Sequence, residues 1–592
     1  MKIFRIFVIF LVLSVGEQSA FSKEIPLEKA RQIAGSFFDS NSSTRSFQSV
    51  DLQMIWDGGS IQTRGQAVAP AFYVFDNATG PGFVIVSGDD CARPILGYSF
   101  DNEFIVENMP PNVKAWMEGL IKAVAIARDN PVNFAAFSST TVGNVVQKHE
   151  TAKWNQNAPY NDLCPYDEGL RAYTGCVATA LSIVMRYHEW PESGTGTIPA
   201  YVTSSKGIYI PEIELGHEYE WDNMPLEYLQ HGYTDEQARQ VARLMADCGA
   251  MLQMDYTSES SAAVSEKIPE ILHKYMDYDA SIGVYLRAYY TDDEWHSMMQ
   301  EEIADNGPVI YSGRNEYSGH AFVLDGYTDE RYYSLNWGWG GRCDGYYTLD
   351  ALKPSDQGIG GGYDDYNSLQ TAILNVKRDE GGVPEIRGII HPYEGISGLV
   401  ADRTVFEPNV PFKISTGLMT NESNVHFDDP FGFVIVDSDG QVQEIVYSFA
   451  ANLPAGYGYN FKDLEVVFTS ELDFGYKLIA AMYDERNERW VKIIGDKTDG
   501  SVDAIPLYEE FSVGASTSFG YNTMTKVITL KVKNGVSATV FAADGMEIEG
   551  IVESVPYVIN IDTASLTSGR YKLVVYKGAE SVELYFIIDS EN

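Results

Sequence analysis

The segment Gly175-Cys176-Val177-Ala178-Thr179-Ala180 decides the fold prediction, because it places a thiol at the start of a helix. Apolar residues recur at positions 177, 180, 181 and 184, the i, i+3, i+4, i+7 spacing of a buried helix face. Cys176 therefore falls in the first turn, where unpaired N–H groups and the positive end of the helix dipole favour a thiolate. A buried core cysteine is the alternative interpretation of such a position.

A histidine and then an asparagine follow this cysteine along the chain, each in or next to a predicted strand. Gly319-His320-Ala321-Phe322-Val323-Leu324 predicts a strand that begins with an imidazole. The run from Tyr332 to Trp337 predicts the next, antiparallel strand, which returns Asn336 and Trp337 towards His320. An amide can orient an imidazole and an indole can exclude water. Cysteine, histidine and then an Asn-Trp segment is the chain order of a papain-type thiol hydrolase.

Other partners for the thiol are less suitable. His188 lies twelve residues along the same helix, about 18 Å away at 1.5 Å per residue. Asp325 rivals Asn336 as the group that orients the imidazole, but an offset of five on a strand points it to the opposite face. We interpret Trp339 as a packed indole in a tight glycine turn. His320 therefore stays the predicted general acid and base.

The intermediate of acyl transfer needs hydrogen-bond donors for its oxyanion. The backbone N–H of Cys176 is one donor. A side-chain amide in Trp154-Asn155-Gln156-Asn157 supplies the second, and from the residues alone Gln156, Asn155 and Asn157 all remain candidates.

Composition excludes several classes of function. A formal net charge of −41 argues against a nucleic-acid partner, because phosphates need a basic footprint. The five cysteines show neither a disulfide framework nor C-x-x-C zinc spacing. The predicted thiol chemistry needs no metal and no cofactor.

The 592 residues suggest about four folded units at about 150 residues each. Residues 1–22 combine a basic start, a short apolar core and a small-residue cleavage site, which predicts a signal peptide and no transmembrane segment. We expect an exported protein, secreted or at the cell surface. The predicted domains are a prosegment (23–145), an α+β domain (146–378) and two β-sandwich modules (379–505 and 506–592).

Four segments together resemble the streptopain family of cysteine peptidases, family C10, with its interpain-like relatives. They are Trp154–Asn161, Gly175–Ala180 followed by Met185–His188, Gly319–Gly326 and Asn336–Gly341. The resemblance implies an α+β, papain-like peptidase domain in which Cys176 is the nucleophile, His320 the general acid and base, and Gln156 the oxyanion donor. It further implies that Asn336 and Trp337 support the histidine.

The same resemblance extends to substrate contacts and to regulation. Ser261 and Gly319 correspond to substrate-binding positions, with Ser260 or Ser258 as alternatives to Ser261. Residues 358–362 resemble the family's glycine-rich loop. Residues 83–89 and 95–99 resemble its inhibitory prosegment, which implies a zymogen activated by cleavage after residues 138–150.

The expected function is therefore a secreted cysteine endopeptidase whose partners are protein or peptide substrates and its own prosegment. The C-terminal modules go beyond streptopain. The last one resembles the sorting domains of type IX secretion substrates but lacks their basic finish, so attachment to the cell surface through these modules stays open. Two alternatives remain, namely an inactive surface-binding protein that uses its β-sandwiches, and a thiol acyltransferase.

Overall fold

The computed structural model divides into two compact units, with the boundary along the chain between Val383 and Pro384. In the first unit it describes residues 23–41, 51–58, 69–90, 92–129, 140–229, 232–314, 319–349 and 370–383. In the second it describes residues 384–403, 406–423, 425–472, 476–496, 501–507, 520–522, 527–531, 536–542, 546–555, 558–562, 564–567, 569–577 and 580–588. The predicted signal peptide and the glycine-rich loop at 358–362 lie outside the described residues.

The N-terminal region of the first unit packs two helices against four antiparallel strands. The elements are α1 (Leu27–Asn41), β1 (Leu52–Trp56), β2 (Phe72–Asn77), β3 (Phe83–Ser87), β4 (Ile95–Ser99) and α2 (Pro111–Asp129). The sequence predicts a helix from Met117 to Arg128, and the structure begins it six residues earlier, at Pro111. Proline is well suited to a first helical turn, because its missing N–H would have no partner there.

The next region holds most of the helices and the centre of the sheet. Its elements are β5 (Val145–Lys148), β6 (Tyr166–Asp167), β7 (Leu170–Arg171), α3 (Cys176–His188), β8 (Thr197–Ile198), β9 (Tyr201–Val202), β10 (Tyr209–Ile210), β11 (Ile213–Glu214), α4 (Asp235–Met251), α5 (Ile268–Tyr275), β12 (Gly283–Leu286), α6 (Asp292–Asp305), β13 (Val309–Arg314), β14 (Gly319–Thr328), β15 (Tyr332–Asn336), β16 (Gly345–Thr348) and β17 (Gln370–Leu374). Capping boxes at Thr234 and Thr291 start α4 and α6.

One continuous sheet runs through both regions. Its strand order is β1-β2-β3-β4-β16-β15-β14-β13-β17-β12, and β5 pairs with β14 beyond the end of β13. The join is antiparallel, with Tyr346 opposite Tyr98 and Tyr347 opposite Gly97. Helix α3 packs on one face with Ala321 and Val323, whereas α2 and α6 pack on the other with Phe322 and Leu324. The N-terminal region is therefore part of the same core as the predicted catalytic strand.

The second unit is all-β over its described residues. Its first part contains β18 (Gly388–His391), β19 (Leu399–Ala401), β20 (Phe412–Thr416), β21 (Leu418–Asn421), β22 (Pro430–Val436), β23 (Val442–Ala450), β24 (Gly458–Tyr459), β25 (Leu464–Val466), β26 (Lys477–Asp484), β27 (Arg489–Lys492), β28 (Ile494–Gly495) and β29 (Ala504–Pro506). Its second part contains β30 (Gly520–Asn522), β31 (Val527–Lys531), β32 (Val536–Phe541), β33 (Glu547–Ile548), β34 (Val552–Val555), β35 (Val558–Asp562), β36 (Gly569–Lys577) and β37 (Glu580–Ile588). The chain thus combines an α+β unit with a β-rich unit, as the sequence predicts.

Candidate active site

Cys176 is the first residue of α3, as the apolar periodicity predicts. The residue before it, Gly175, has a φ of +86°, and a Cβ at this position would lie 2.7 Å from the sulfur of Met254. Glycine therefore lets the chain turn sharply into the helix. The first turn is held further by Thr179, whose hydroxyl donates to the carbonyl of Gly175 at 2.9 Å.

The surroundings of the thiol favour its neutral form. Burial raises the pKa of Cys176, although the backbone N–H groups of Ala321, Val177 and Cys176 itself lower it in part. The contact with Ala321 places the sulfur beside β14, one residue from His320. The helix N-terminus and the histidine strand thus meet at this point.

His320 lies at the start of β14 and is partly buried. Strand side chains alternate, so His320 is directed to the side of Phe322, away from α3. Burial lowers the pKa of the imidazole. In the described part of the chain, no hydrogen bond or ion pair joins the ring to Cys176. Burial therefore disfavours the charged forms of both the thiol and the imidazole in this structure.

Asn336 faces away from the histidine ring. It pairs with Val323, and antiparallel partners share a face, which here is the α3 side. Its Nδ2 donates to the hydroxyl of Thr151 and to the carbonyl of Ala152, each at 3.0 Å. The sequence predicts that Asn336 supports the imidazole, and in this structure the amide binds the backbone and Thr151 instead.

Trp337 covers the other face of the sheet, next to the histidine strand. The residue is 1% exposed, and its indole packs on Phe322 with ring centroids 4.7 Å apart. Its backbone N–H donates to the carboxylate of Asp344 at 2.9 Å. Trp337 is therefore placed to shield this side of the site from water.

Two side chains of α2 hold the segment around Trp337. Asn112, 1% exposed, donates from Nδ2 to the carbonyl of Trp337 at 2.6 Å. The indole of Trp116 packs edge-on against Phe322 and Trp337, at 5.7 and 5.9 Å between ring centroids. Sequence reasoning missed both residues, because nothing local in a helix reveals which distant carbonyl it will meet.

The structure brings the predicted oxyanion residue near the thiol. The carbonyl of Gln156 accepts the N–H of Thr174, two residues before Cys176, at 3.2 Å. Of its rivals, Asn155 accepts the Gln156 N–H through its own Oδ1 at 2.7 Å, and Asn157 is exposed. Gln156 itself is buried beside the loop that leads into α3.

The predicted substrate-binding residues lie on two separate segments, the loop around Ser261 and the start of β14. A Cβ at Gly175 would lie 3.1 Å from the carbonyl of Ser261, which places that loop beside the nucleophile. The Ser261 hydroxyl bonds to the backbone of Thr257, and Ser258 bonds to the buried carboxylate of Asp167 at 2.8 and 2.9 Å. Gly319 is exposed and begins the histidine strand.

Among the described residues, no group of three or more histidine, cysteine or acidic side chains is arranged to hold a metal ion. Cys164, Cys176, Cys248 and Cys343 are free thiols, and Cys91 lies outside the described residues. None of the helices found in the described ranges is long and apolar enough to cross a membrane.

Together, the fold and this site define the class of papain-like thiol peptidases, with an N-terminal region packed against Phe322 and Trp337. The family model of the peptidase C10 family matches residues 154–347, and that of the Spi protease inhibitor matches residues 22–124. Streptopain of Streptococcus pyogenes is 32% identical over 351 residues, which cover 56% of this chain and 86% of streptopain. The chain belongs to the peptidase C10 family of cysteine-type endopeptidases and carries an inhibitor-like prosegment.

The chain is also similar to a second relative and to two solved structures. Thiol protease/hemagglutinin PrtT of Porphyromonas gingivalis is 29% identical over 374 residues, 60% of this chain but only 42% of that protein. A fragment of prointerpain A from Prevotella intermedia is 30% identical and covers 55% of this chain and 99% of the fragment, with a TM-score of 0.45. Active interpain A is 32% identical over 40% of this chain and 98% of its own, with a TM-score of 0.34.

Proposed function

We propose that this chain is a secreted endopeptidase, made as a zymogen, in which Cys176 and His320 hydrolyse peptide bonds of protein substrates. The observation that carries the proposal is the meeting of the α3 N-terminus with β14. The Cys176 sulfur lies beside the backbone N–H of Ala321. His320 is the residue before Ala321, so a change in the direction of its side chain would bring the imidazole to the sulfur.

The proposed chemistry proceeds through a thioester. The Cys176 sulfur, having given its proton to His320, attacks the scissile carbonyl carbon. The Cys176 N–H and the Gln156 amide bind the resulting oxyanion. His320 then protonates the leaving amine as the C–N bond breaks, and water, deprotonated by His320, hydrolyses the thioester to release the acid and the free thiol. Neither a metal nor a cofactor takes part in these steps.

The proposed inhibition acts on the histidine side of the site. Asn112 occupies the carbonyl of Trp337, and Trp116 covers the ring of Phe322 on the side to which His320 is directed. While these contacts last, the imidazole and the thiol stay apart and uncharged. Removal of residues up to the junction at 138–150 would free the histidine to pair with the thiolate.

Export rests on the predicted signal peptide at residues 1–22, and surface attachment rests on the two C-terminal modules. Ser261 and Gly319 are the proposed substrate contacts. The domain boundaries proposed above remain 23–145, 146–378, 379–505 and 506–592.

The test compares residues 23–592 as wild type, Cys176→Ala and the matched control Cys248→Ala, which removes a fully buried thiol elsewhere. Each protein is incubated, and loss of the prosegment and casein hydrolysis are followed with and without E-64. We expect the wild type and Cys248→Ala to mature into an E-64-sensitive protease, and Cys176→Ala to stay full length and lose activity by a factor of at least about 10⁴.

Two outcomes would favour the alternatives. If all three proteins remain inactive even after the junction is cut by a second protease, the chain is a binding protein with a retired site. If added hydroxylamine or a primary amine diverts most of the product to amide while little is hydrolysed, the chain is a thiol acyltransferase.

A further inference from the structure

A buried carboxylate lies next to the Asn-Trp segment without touching any reacting group. Asp325, 2% exposed, lies at a bulge in β14 between Leu324 and Gly326. One oxygen, Oδ2, accepts from the ammonium of Lys148 and from the hydroxyl of Thr151, each at 2.5 Å. Bulges re-aim side chains and are common beside active sites, so this placement calls for a functional explanation.

The carboxylate sets the direction of a chain of hydrogen bonds. An ionised carboxylate only accepts, so the Thr151 hydroxyl must donate to Asp325. The same hydroxyl then accepts from Nδ2 of Asn336 at 3.0 Å, and the second Nδ2 proton goes to the carbonyl of Ala152 at 3.0 Å. This leaves Oδ1 of Asn336 to accept the N–H of Gly338 at 3.0 Å. The orientation of the Asn336 amide is thereby determined.

The turn held by this amide is wedged between the two catalytic elements. Gly338 has a φ of +73°, and a Cβ there would lie 3.2 Å from the methyl group of Thr179, in the first turn of α3. On the other side, the Trp337 indole packs on Phe322, two residues after His320. A shift of Asn336 would therefore move the segment between the thiol and the histidine strand.

We infer that Asp325 and Thr151 are positioning residues, which act through Asn336 to fix the turn 336–338 against both the cysteine helix and the histidine strand. The inference rests on the proposed peptidase function. Lys148 belongs to the same network and pairs through β5 with β14, with Lys148 opposite Gly326. The mature enzyme must therefore retain Lys148, which places the activation cut before it.

The test compares variants that remove the hydroxyl of Thr151 or the charge of Asp325 with variants that keep the network. Thr151→Val keeps the shape but loses the hydroxyl, and Thr151→Ser keeps the hydroxyl. Asp325→Asn keeps the shape and removes the charge. Thr328→Val is the matched control, because Thr328 is fully buried in the same strand and accepts the N–H of Tyr332 at 3.2 Å, with no link to Asn336. All are made in residues 23–592 and matured by cleavage at the junction, followed by N-terminal sequencing.

Two readouts separate positioning from general destabilisation. The first is kcat and KM on a peptide substrate. We expect Thr151→Val and Asp325→Asn to lower kcat about tenfold or more with KM changed less than about twofold, since a small misplacement of catalytic groups costs this much. Thr151→Ser and Thr328→Val should keep kcat within about twofold of wild type.

The second readout is the rate of iodoacetamide alkylation of Cys176 between pH 5 and 9, which needs no proteolysis. A thiolate held by an imidazolium reacts below pH 7, and we expect Thr151→Val to lose this low-pH reactivity while Thr328→Val retains it. If the wild type shows the low-pH reactivity but cleaves no substrate, the proposed function is wrong. The positioning network is then tested by the alkylation profiles of the variants alone.

Three results would overturn the inference. They are a Thr151→Val enzyme with wild-type kcat and alkylation profile, a Thr151→Ser enzyme as impaired as Thr151→Val, and a Thr328→Val enzyme impaired to the same degree. Should Thr151→Val fail to fold, wild-type behaviour of Asp325→Asn would overturn it equally. A mature N-terminus after Lys148 would remove Lys148 from the network.

Discussion

Burial acts on the two proposed catalytic side chains, and it shifts their pKa values in opposite directions. Burial disfavours the thiolate of Cys176 and the imidazolium of His320, so it raises one pKa and lowers the other. Three backbone N–H groups oppose this effect at the sulfur. An ion pair would reverse both shifts at once, because each charge would stabilise the other.

A pH profile of thiol reactivity tests this description of the zymogen. Since its thiol pKa is raised above the usual value of about 8.5, Cys176 in the zymogen should react with iodoacetamide appreciably only above about pH 9. In the mature form, pairing with His320 should carry the reactivity down to about pH 6. Intact mass separates the two forms, and peptide mapping locates the label on Cys176. Identical profiles for both forms would contradict the prediction.

Asp344 is a second residue whose ionisation is coupled to folding. Its pKa is raised to about 7, chiefly by burial; the N–H of Trp337 lowers it in part, Asp325 raises it, and Lys148 and Lys153 lower it. A carboxyl with a raised folded-state pKa stabilises the fold fully below its unfolded value of about 4 and loses this contribution as the pH rises through about 7.

We therefore expect the unfolding temperature of the zymogen to fall between pH 5 and pH 8, and to fall less in Asp344→Asn. The asparagine retains an oxygen that can accept the Trp337 N–H. Thermal unfolding of the Cys176→Ala protein with and without Asp344→Asn measures the difference, since this background cannot mature. Parallel curves for the two proteins over this range would show that Asp344 does not titrate there.

At the scale of elements, the prosegment is joined to the catalytic sheet by the pairing of β4 with β16. Gly345, the first residue of β16, is where the two strands approach closely. A Cβ at Gly345 would lie 2.5 Å from the carbonyl of Tyr98 and 3.1 Å from the ring of Phe83, both in the prosegment. The peptidase part contributes none of the three nearest atoms.

Gly345→Ala should therefore weaken the zymogen and spare the mature enzyme. We expect faster release of the prosegment, and about tenfold weaker inhibition by prosegment added in trans, with an unchanged kcat of the mature form. Gly35→Ala in α1 is the matched control, because no atom lies within 4 Å of its added Cβ and alanine favours a helix. Equal inhibition of the wild-type and Gly345→Ala enzymes would show that the β4–β16 pairing adjusts without loss.

At the scale of the whole molecule, the chain separates into two units between Val383 and Pro384. Each has its own core: the first unit is built around the eleven-stranded sheet, and the second around hydrophobic clusters between its strands. Independent cores are what allow domains to fold alone.

Residues 23–383 should accordingly fold, mature and cleave a peptide with kcat/KM within about twofold of the full chain. A shorter fragment, residues 23–349, lacks β17, the strand between β13 and β12, and should fail to fold. Circular dichroism and peptide hydrolysis of both fragments measure this. Loss of activity in the longer fragment would assign the C-terminal modules a part in catalysis.

Short stretches of sequence are enough to predict several features of this protein. The helix that begins at Cys176, the strand that begins at His320 and the family to which the chain belongs follow from local periodicity and short motifs. These features depend on neighbours within one or two turns, so one sequence is enough to predict them.

Only the tertiary structure decides which polar groups meet. The bond from Asn112 to Trp337 joins residues 225 positions apart, and that from Thr151 to Asp325 joins residues 174 apart. The sequence assigns Asn336 to the imidazole, whereas the register of β15 on β14 turns it towards Thr151. Register and docking arise from the packing of a whole core, and no local pattern records them. The hydrogen bonds around Asn336 and Trp337 therefore appear only in the folded chain.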